Sequence, residues 1–150
     1  IMVGGNDWSS AERWIEQSDT LKYLKDPANN LAFEAHVYFD KDASGTYKYS
    51  YEEEECYPEK GIDRVKPFVE WIKQNKFHGF IGEYGIPDND PRWNETLDLF
   101  LGYLQENGIN GTYWAAGPWW DTYFMAITPK DGKDRPQMPI IEKYTSTFKK

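Results

Sequence analysis

Apolar and polar positions follow two kinds of pattern along the chain, short strand-like runs and longer helical ones. The short runs predict strands at 1–5, 31–39, 78–84 and 111–116. In the second run every alternate residue is apolar, which is typical of a strand with one face buried. The positions between them carry a polar set that shares the opposite face: Glu34, His36, Tyr38 and Asp40.

Helical spacing follows each strand. Apolar residues recur at i, i+3, i+4 and i+7 within 92–107, and Asn107-Gly108 provides a stop signal. A second helix is predicted at 61–75, interrupted by Pro67. The last helix is expected to begin near Pro139 and to run towards Phe148.

The first helix has a different signal. Ser9 and Glu12 stand three residues apart, which is the spacing of a capping box. We therefore expect this helix to begin there, with Ala11, Trp14 and Ile15 on its apolar face.

Four strands alternating with helices, without a linker-like segment, predict one α/β domain with parallel strands joined by right-handed crossovers. In such sheets ligands bind beyond the carboxyl ends of the strands. The unusual residues of this sequence collect at those ends, so we expect the chemistry to lie there.

Composition narrows the function. The 150 residues include 25 acidic and 17 basic side chains, a net charge of −8. This balance disfavours nucleic acid and anionic membrane surfaces as partners, and no apolar run approaches the roughly 18 residues of a membrane span. Cys56 is the only cysteine, which excludes a disulfide within the chain. Aromatic residues make up 17%, including seven Trp, and could form either core or flat binding surfaces.

Candidate chemistry follows the strands in order. His36 and Tyr38 share one face of the second strand, Glu83 lies at the end of the third, and Trp114 lies at the end of the fourth. A carboxylate among apolar residues is costly to desolvate unless it is paired. The residues alone leave other interpretations open: Glu83 could cap a loop, His36 could be a core residue, and Trp114 could simply pack.

Three segments carry a resemblance. Asn30–Asp40 (NLAFEAHVYFD), Gly79–Gly85 (GFIGEYG) and 111–115 (GTYWA) resemble the sixth, seventh and eighth strands of glycoside hydrolase family 5. The first nine residues, with Gly5 and Trp8, resemble the fifth strand. This is a family of retaining cellulases and endoglucanases built on a (β/α)8 TIM barrel. The resemblance implies that residues 1–150 form the C-terminal half-barrel of such a catalytic domain, with four parallel βα units.

The resemblance also implies roles. Glu83 would be the catalytic nucleophile, Tyr38 would hydrogen-bond to it, and His36 would lie within reach of it or of the sugar. The substrate would be a β-glucan or cello-oligosaccharide, with no cofactor and no metal. The residues expected to bind its sugars are Trp114, as the floor at the cleavage point, and Trp8, Trp119 and Trp120.

One part of the family's site has no counterpart here. A retaining glycosidase needs a second carboxyl group about 5–5.5 Å from the first, and the family's acid/base Glu follows an Asn on an earlier strand. We therefore expect the isolated chain to be weakly active or inactive. Completion is expected through a homodimer or a complementary N-terminal half-barrel.

Two further expectations complete the interpretation. The alternative function is a half-barrel, natural or engineered, that folds, self-associates and binds glucans through its Trp residues without hydrolysing them. The chain shows no signal peptide, whereas the resemblance implies a secreted enzyme. Which glucan is the substrate stays open.

Overall fold

Four parallel strands and the helices that connect them make up the computed structural model, which describes residues 1–145. The strands are β1 Met2–Gly4, β2 Ala32–Tyr38, β3 His78–Gly85 and β4 Asn110–Tyr113. The helices are α1 Asn6–Ser9, α2 Trp14–Ser18, α3 Lys60–Asn75, α4 Arg92–Glu106 and α5 Met138–Tyr144, with 3₁₀ turns at Asp19–Tyr23 and Pro118–Trp120.

The strands lie side by side in chain order, and every pair is parallel. This confirms the prediction of an α/β domain with a parallel sheet. The β2–β3 register shifts between Ala35 and His36, so that His36 lies opposite Glu83. β4 is shorter than predicted: its register with β3 is irregular after Ile81, and it ends at Tyr113.

The two faces of the sheet have different surroundings. Phe33, Ala35 and Val37 are at most 3% exposed, because they pack beneath the helices. On the other face, Ala32, Glu34 and His36 are half-buried, whereas Tyr38 is 8% exposed. The alternation of β2 is therefore confirmed as far as His36. Tyr38 and Asp40, which belong to the same predicted polar set, are buried.

Aromatic rings fill the core between β2 and α3. Trp14 packs edge-on against Phe68 with 4.7 Å between ring centroids, and Phe33 packs against Trp71 at 5.0 Å. Three of the seven Trp, including Trp93, are at most 1% exposed. The aromatic excess therefore divides into a buried set and a set at the strand ends.

The predicted capping box is wrong. α2 begins at Trp14, and its cap residue makes no side-chain cap hydrogen bond. The hydroxyl of Ser9 instead accepts a hydrogen bond from Gly5 N at 2.8 Å and closes the turn of α1. Ile15, expected on the apolar face, is 49% exposed because the helix turns it away from the sheet.

The long helices fall within one residue of their predicted bounds, and Pro67 lies inside α3. α5 begins at Met138 and ends at Tyr144; the part predicted to approach Phe148 lies outside the described residues.

Candidate active site

The carboxyl ends of the two inner strands bring together Glu83, Tyr38 and His36. The Tyr38 hydroxyl donates a hydrogen bond to Glu83 Oε2 at 2.9 Å. Burial, together with the Glu83 charge, raises the pKa of Tyr38 well above its usual range, so the phenol keeps its hydrogen and donates it. The result is a carboxylate held between adjacent strands by a neutral donor.

His36 lies between two carboxylates. Its Nε2 is 2.6 Å from Glu34 Oε1, and its Nδ1 is 3.7 Å from Glu83 Oε2. Partial burial lowers the pKa of the imidazole, but the hydrogen bond to Glu34 and the charges of Glu34 and Glu83 outweigh it, and the net shift is upward. The four side chains thus form a chain from Glu34 through His36 and Glu83 to Tyr38.

A loop after β2 supports this chain of contacts. The buried carboxylate of Asp40 accepts hydrogen bonds from the backbone N–H of Gly45, Thr46 and Tyr47. This places the Tyr47 hydroxyl where it accepts from Phe39 N at 2.9 Å and donates to the carbonyl oxygen of Gly85 at 2.6 Å. One phenol therefore joins β2 to β3 just beyond the residues of the site.

Two glycines make room for these contacts. A β-carbon at Gly82 would collide with the Glu34 carboxylate, and one at Gly85 would collide with the carbonyl oxygen of Trp114. At both positions, other groups of the protein occupy the space that the absence of a β-carbon leaves.

The predicted Trp residues occupy the ends of the outer strands. Trp8, after β1, is 86% exposed and lines the same cleft as His36, Tyr38 and Glu83. Trp114 follows β4 and donates its backbone N–H to Tyr84 O at 2.8 Å. Its ring packs against Trp120 at 5.0 Å, and Trp119 is 89% exposed. These three do not line the cleft that Trp8 borders.

That cleft has a volume of about 360 Å³. Besides the site residues, its charged lining consists of Asp7, Glu12, Arg13, Asp42 and Arg64. Several of these are paired: Asp7 with Arg13, and Glu12 with Arg64 at 3.4 Å. Within residues 1–145 no three His, Cys, Asp or Glu side chains are grouped so that they could hold a metal ion.

Sequence reasoning missed two members of the site. Glu34 shares a face of β2 with His36 and lies one pleat deeper, roughly 6–7 Å along the strand. Its side chain nevertheless reaches the imidazole. The sequence feature that could have indicated this contact is Gly82, because a glycine on the neighbouring strand leaves space for the Glu34 side chain. Tyr47 lies in an irregular loop and gave no signal. In the same loop, Glu54 is 3% exposed, and its carboxylate accepts hydrogen bonds from Lys41 N and Tyr49 N.

No helix among the described residues is both long and apolar enough to cross a membrane. The parallel sheet with acidic, aromatic and imidazole groups at its carboxyl ends defines an α/β protein of the kind that binds ligands above the strands. Comparisons with known proteins make this class more specific.

The sequence model of the family described as Cellulase (glycosyl hydrolase family 5) matches residues 1–119. The chain therefore belongs to glycoside hydrolase family 5. Among curated relatives, the probable endo-beta-1,4-glucanase B of Aspergillus kawachii is 38% identical over 149 residues, 96% of this chain and 43% of that protein.

Solved structures agree. The endoglucanase Cel5A of Pseudomonas stutzeri has a TM-score of 0.89 and 40% identity, covering 98% of this chain and 44% of that one. The same enzyme in complex with cellobiose has a TM-score of 0.88 and 43% identity, covering 96% and 43%. The sheet thus corresponds to part of a family 5 barrel, and the chain spans less than half the length of these relatives.

Proposed function

We propose that this chain contributes the nucleophile of a retaining endo-β-1,4-glucanase, with Glu83 as that nucleophile. The observation that carries the proposal is the 2.9 Å hydrogen bond from Tyr38 to Glu83 at the carboxyl ends of β2 and β3. A neutral donor fixes one carboxylate oxygen of a residue that lines the cleft. Relatives named as endoglucanases supply the reaction class.

In this reaction a Glu83 oxygen attacks the anomeric carbon while the bond to the leaving oxygen breaks. The leaving oxygen takes a proton from an acid, and the sugar remains on Glu83 as a glycosyl ester. Water then attacks the same carbon and gives a proton to the group that acted as the acid, the ester bond breaks, and the carboxylate is restored. Tyr38 donates its hydrogen bond throughout, and His36 lies beside the Oε2 atom that accepts it.

Exposed aromatic rings supply the proposed sugar contacts. Pyranose rings present apolar C–H faces to indoles, and Trp8 at 86% exposure already borders the cleft. Trp114 is assigned the floor beneath the sugar at the cleavage point, because it follows the strand next to Glu83. Trp119 and Trp120 extend this aromatic surface beyond β4.

The acid/base carboxyl is proposed to come from another half-barrel, so that residues 1–150 act as the C-terminal half of the catalytic domain. The outer strands support this: in the described sheet, β1 pairs only with β2 and β4 only with β3. Either a complementary N-terminal half or a second copy of the chain would occupy these edges. We also propose a secreted protein, since a glucan polymer is degraded outside the cell.

Reducing-sugar release from carboxymethyl-cellulose tests the function. We expect Glu83→Gln to abolish release by the assembled protein, whereas Glu95→Gln, a change at an exposed carboxylate in the first turn of α4, leaves it unchanged. Equal residual release in wild type and Glu83→Gln would refute the role of Glu83. Sedimentation of the chain, alone and with the amino-terminal half of a relative, tests how the barrel is completed; a stable monomer in both cases would contradict that proposal.

A second candidate is glucan binding without hydrolysis. The observation that favours it is the exposure of Trp8 and Trp119, which offer flat surfaces without any need for an acid. Retention of cello-oligosaccharides with no sugar release, under conditions where the barrel is complete, would support this function over the first.

A further inference from the structure

Glu34 is a half-buried titratable group for which the proposed reaction has no use. Its side chain is 17% exposed, and its carboxylate lies 2.6 Å from His36 Nε2. Gly82, on the neighbouring strand, has no β-carbon at the point that this carboxylate occupies. The contact between Glu34 and His36 is therefore set by the packing of two neighbouring strands and is not a pairing of flexible surface side chains.

The shift in register between Ala35 and His36 brings the other ring nitrogen of His36 towards Glu83. It places His36 opposite Glu83, with Nδ1 at 3.7 Å from Oε2. A neutral imidazole carries one N–H, whereas an imidazolium carries two. Only the imidazolium can present an N–H to Glu34 and to Glu83 at the same time.

We infer that Glu34 is a positioning residue that holds His36 as an imidazolium, with Nε2–H donated to Glu34 and Nδ1–H directed at Glu83. The inference rests on the proposed function, because it assigns His36 a charge next to the proposed nucleophile. The site then contains two carboxylates and one cation, and the cation lies beside the same Glu83 oxygen that accepts the Tyr38 hydrogen bond.

The other charged groups around His36 do not take the place of Glu34 in holding the imidazolium. Arg13 and Arg64 are cations of the same cleft, and both are paired with carboxylates, Asp7 and Glu12. Tyr38 shares the strand and stays neutral. The remaining charged group that lines the cleft is Asp42, whose carboxylate accepts a hydrogen bond from Ser44 N at 3.2 Å.

Nitrogen-detected NMR of the histidine rings tests the inference on the chain itself, without any need for activity. The chain has two histidines, and His78, exposed at the start of β3, serves as the internal reference. We expect both ring nitrogens of His36 to be protonated at pH 7. A ring that is neutral at this pH in the wild type would overturn the inference, even if every variant failed to fold.

Two variants separate charge from position. Glu34→Gln keeps the shape and removes the charge, and we expect it to lower the titration midpoint of His36 by about one pH unit, a tenfold loss of proton affinity. Gly82→Ala keeps the charge but displaces the carboxylate, and it is expected to lower the midpoint in the same direction. The ring signals of His78 should be the same in all samples.

Glu12→Gln is the matched control, because it neutralises an exposed carboxylate of the same cleft. We expect it to change the His36 midpoint by less than about 0.3 pH unit. A midpoint unaffected by Glu34→Gln, or lowered equally by Glu12→Gln, would overturn the inference. Neither result depends on hydrolysis, so a failure of the nucleophile proposal would be recognised separately, by sugar release that survives Glu83→Gln.

Discussion

The inner strands and the outer strands of this sheet end in different ways. In β2 and β3, short polar contacts join His36 to Glu34 and Tyr38 to Glu83, and Tyr47 links the two backbones. At the ends of β1 and β4, Trp8 and Trp119 are more than four-fifths exposed.

This difference corresponds to two tasks. Groups that react must be held in place before a ligand arrives, since preorganised donors cost no reorganisation during the reaction. A stacking surface must instead be open, because the ligand itself completes the packing. The inner strands are therefore expected to govern stability and reactivity, and the outer strands affinity.

Removing the Asp40 carboxylate should have the largest effect on the inner region. Asp40→Ala leaves three backbone N–H groups without their acceptor, so we expect the free energy of unfolding to fall by about 3 kcal/mol. Denaturant unfolding measures this. Asp42→Ala, which removes an exposed carboxylate two residues on, is expected to cost less than about 1 kcal/mol; equal losses would show that the loop is not anchored through Asp40.

Tyr47→Phe removes only the bridging hydroxyl. Phe39 N–H and the Gly85 carbonyl then lose a partner in a buried environment, and we expect a loss of about 2 kcal/mol in the free energy of unfolding. The control is Tyr49→Phe at a side chain that is 59% exposed, with an expected change within about 0.5 kcal/mol. If the two variants lose the same free energy of unfolding, the Tyr47 bridge contributes nothing to the stability of the inner strands.

Trp8→Ala addresses the outer region. We expect binding of cellopentaose to weaken by about 1 kcal/mol, or roughly fivefold in Kd, with no measurable change in stability. Titration calorimetry and unfolding on the same sample separate the two. Trp71→Ala, in the core, should instead cost about 3–5 kcal/mol of stability. A large loss of stability in Trp8→Ala would contradict the division of tasks.

The Glu34–His36 pair should show a small dependence on pH. Because the pKa of His36 is raised on folding, its stabilisation is complete below pH 6.5 and is lost as the pH rises through the folded-state value. We expect the stability difference between wild type and Glu34→Gln to shrink by about 1 kcal/mol between pH 6 and pH 9, the linkage equivalent of the expected change in the His36 midpoint. Urea unfolding at both pH values measures it, and a difference that grows with pH would reverse the assigned sign.

Regular patterns in the sequence predicted the regular parts of the structure. The alternation around His36 gave the strand and its polar face, and the spacing of apolar residues gave α3 and α4. The capping box failed because Ser9 adopts a left-handed backbone, with φ of 56°, which a sequence motif does not reveal.

The candidate site was predictable only in part for a related reason. The positions of Glu83 and Tyr38 at strand ends could be predicted from the alternation within each strand and from the order of the strands along the chain. The contacts of Glu34 and Tyr47 could not be predicted in this way. They are determined by side-chain reach, by a register shift and by the geometry of a loop, all of which result from tertiary packing. The proposed role of Glu83 came from resemblance and stays a prediction.

Covalent trapping tests the role of Glu83 most directly. A 2-fluoro-β-cellobioside with a dinitrophenyl leaving group needs no acid, since dinitrophenolate departs unprotonated, and the fluorine slows hydrolysis of the resulting ester. The measurement therefore suits a chain that supplies only a nucleophile. Peptide mass spectrometry should find one fluorocellobiosyl group on Glu83 and none in Glu83→Gln; a label on another carboxylate, or labelling that survives the substitution, would contradict the account.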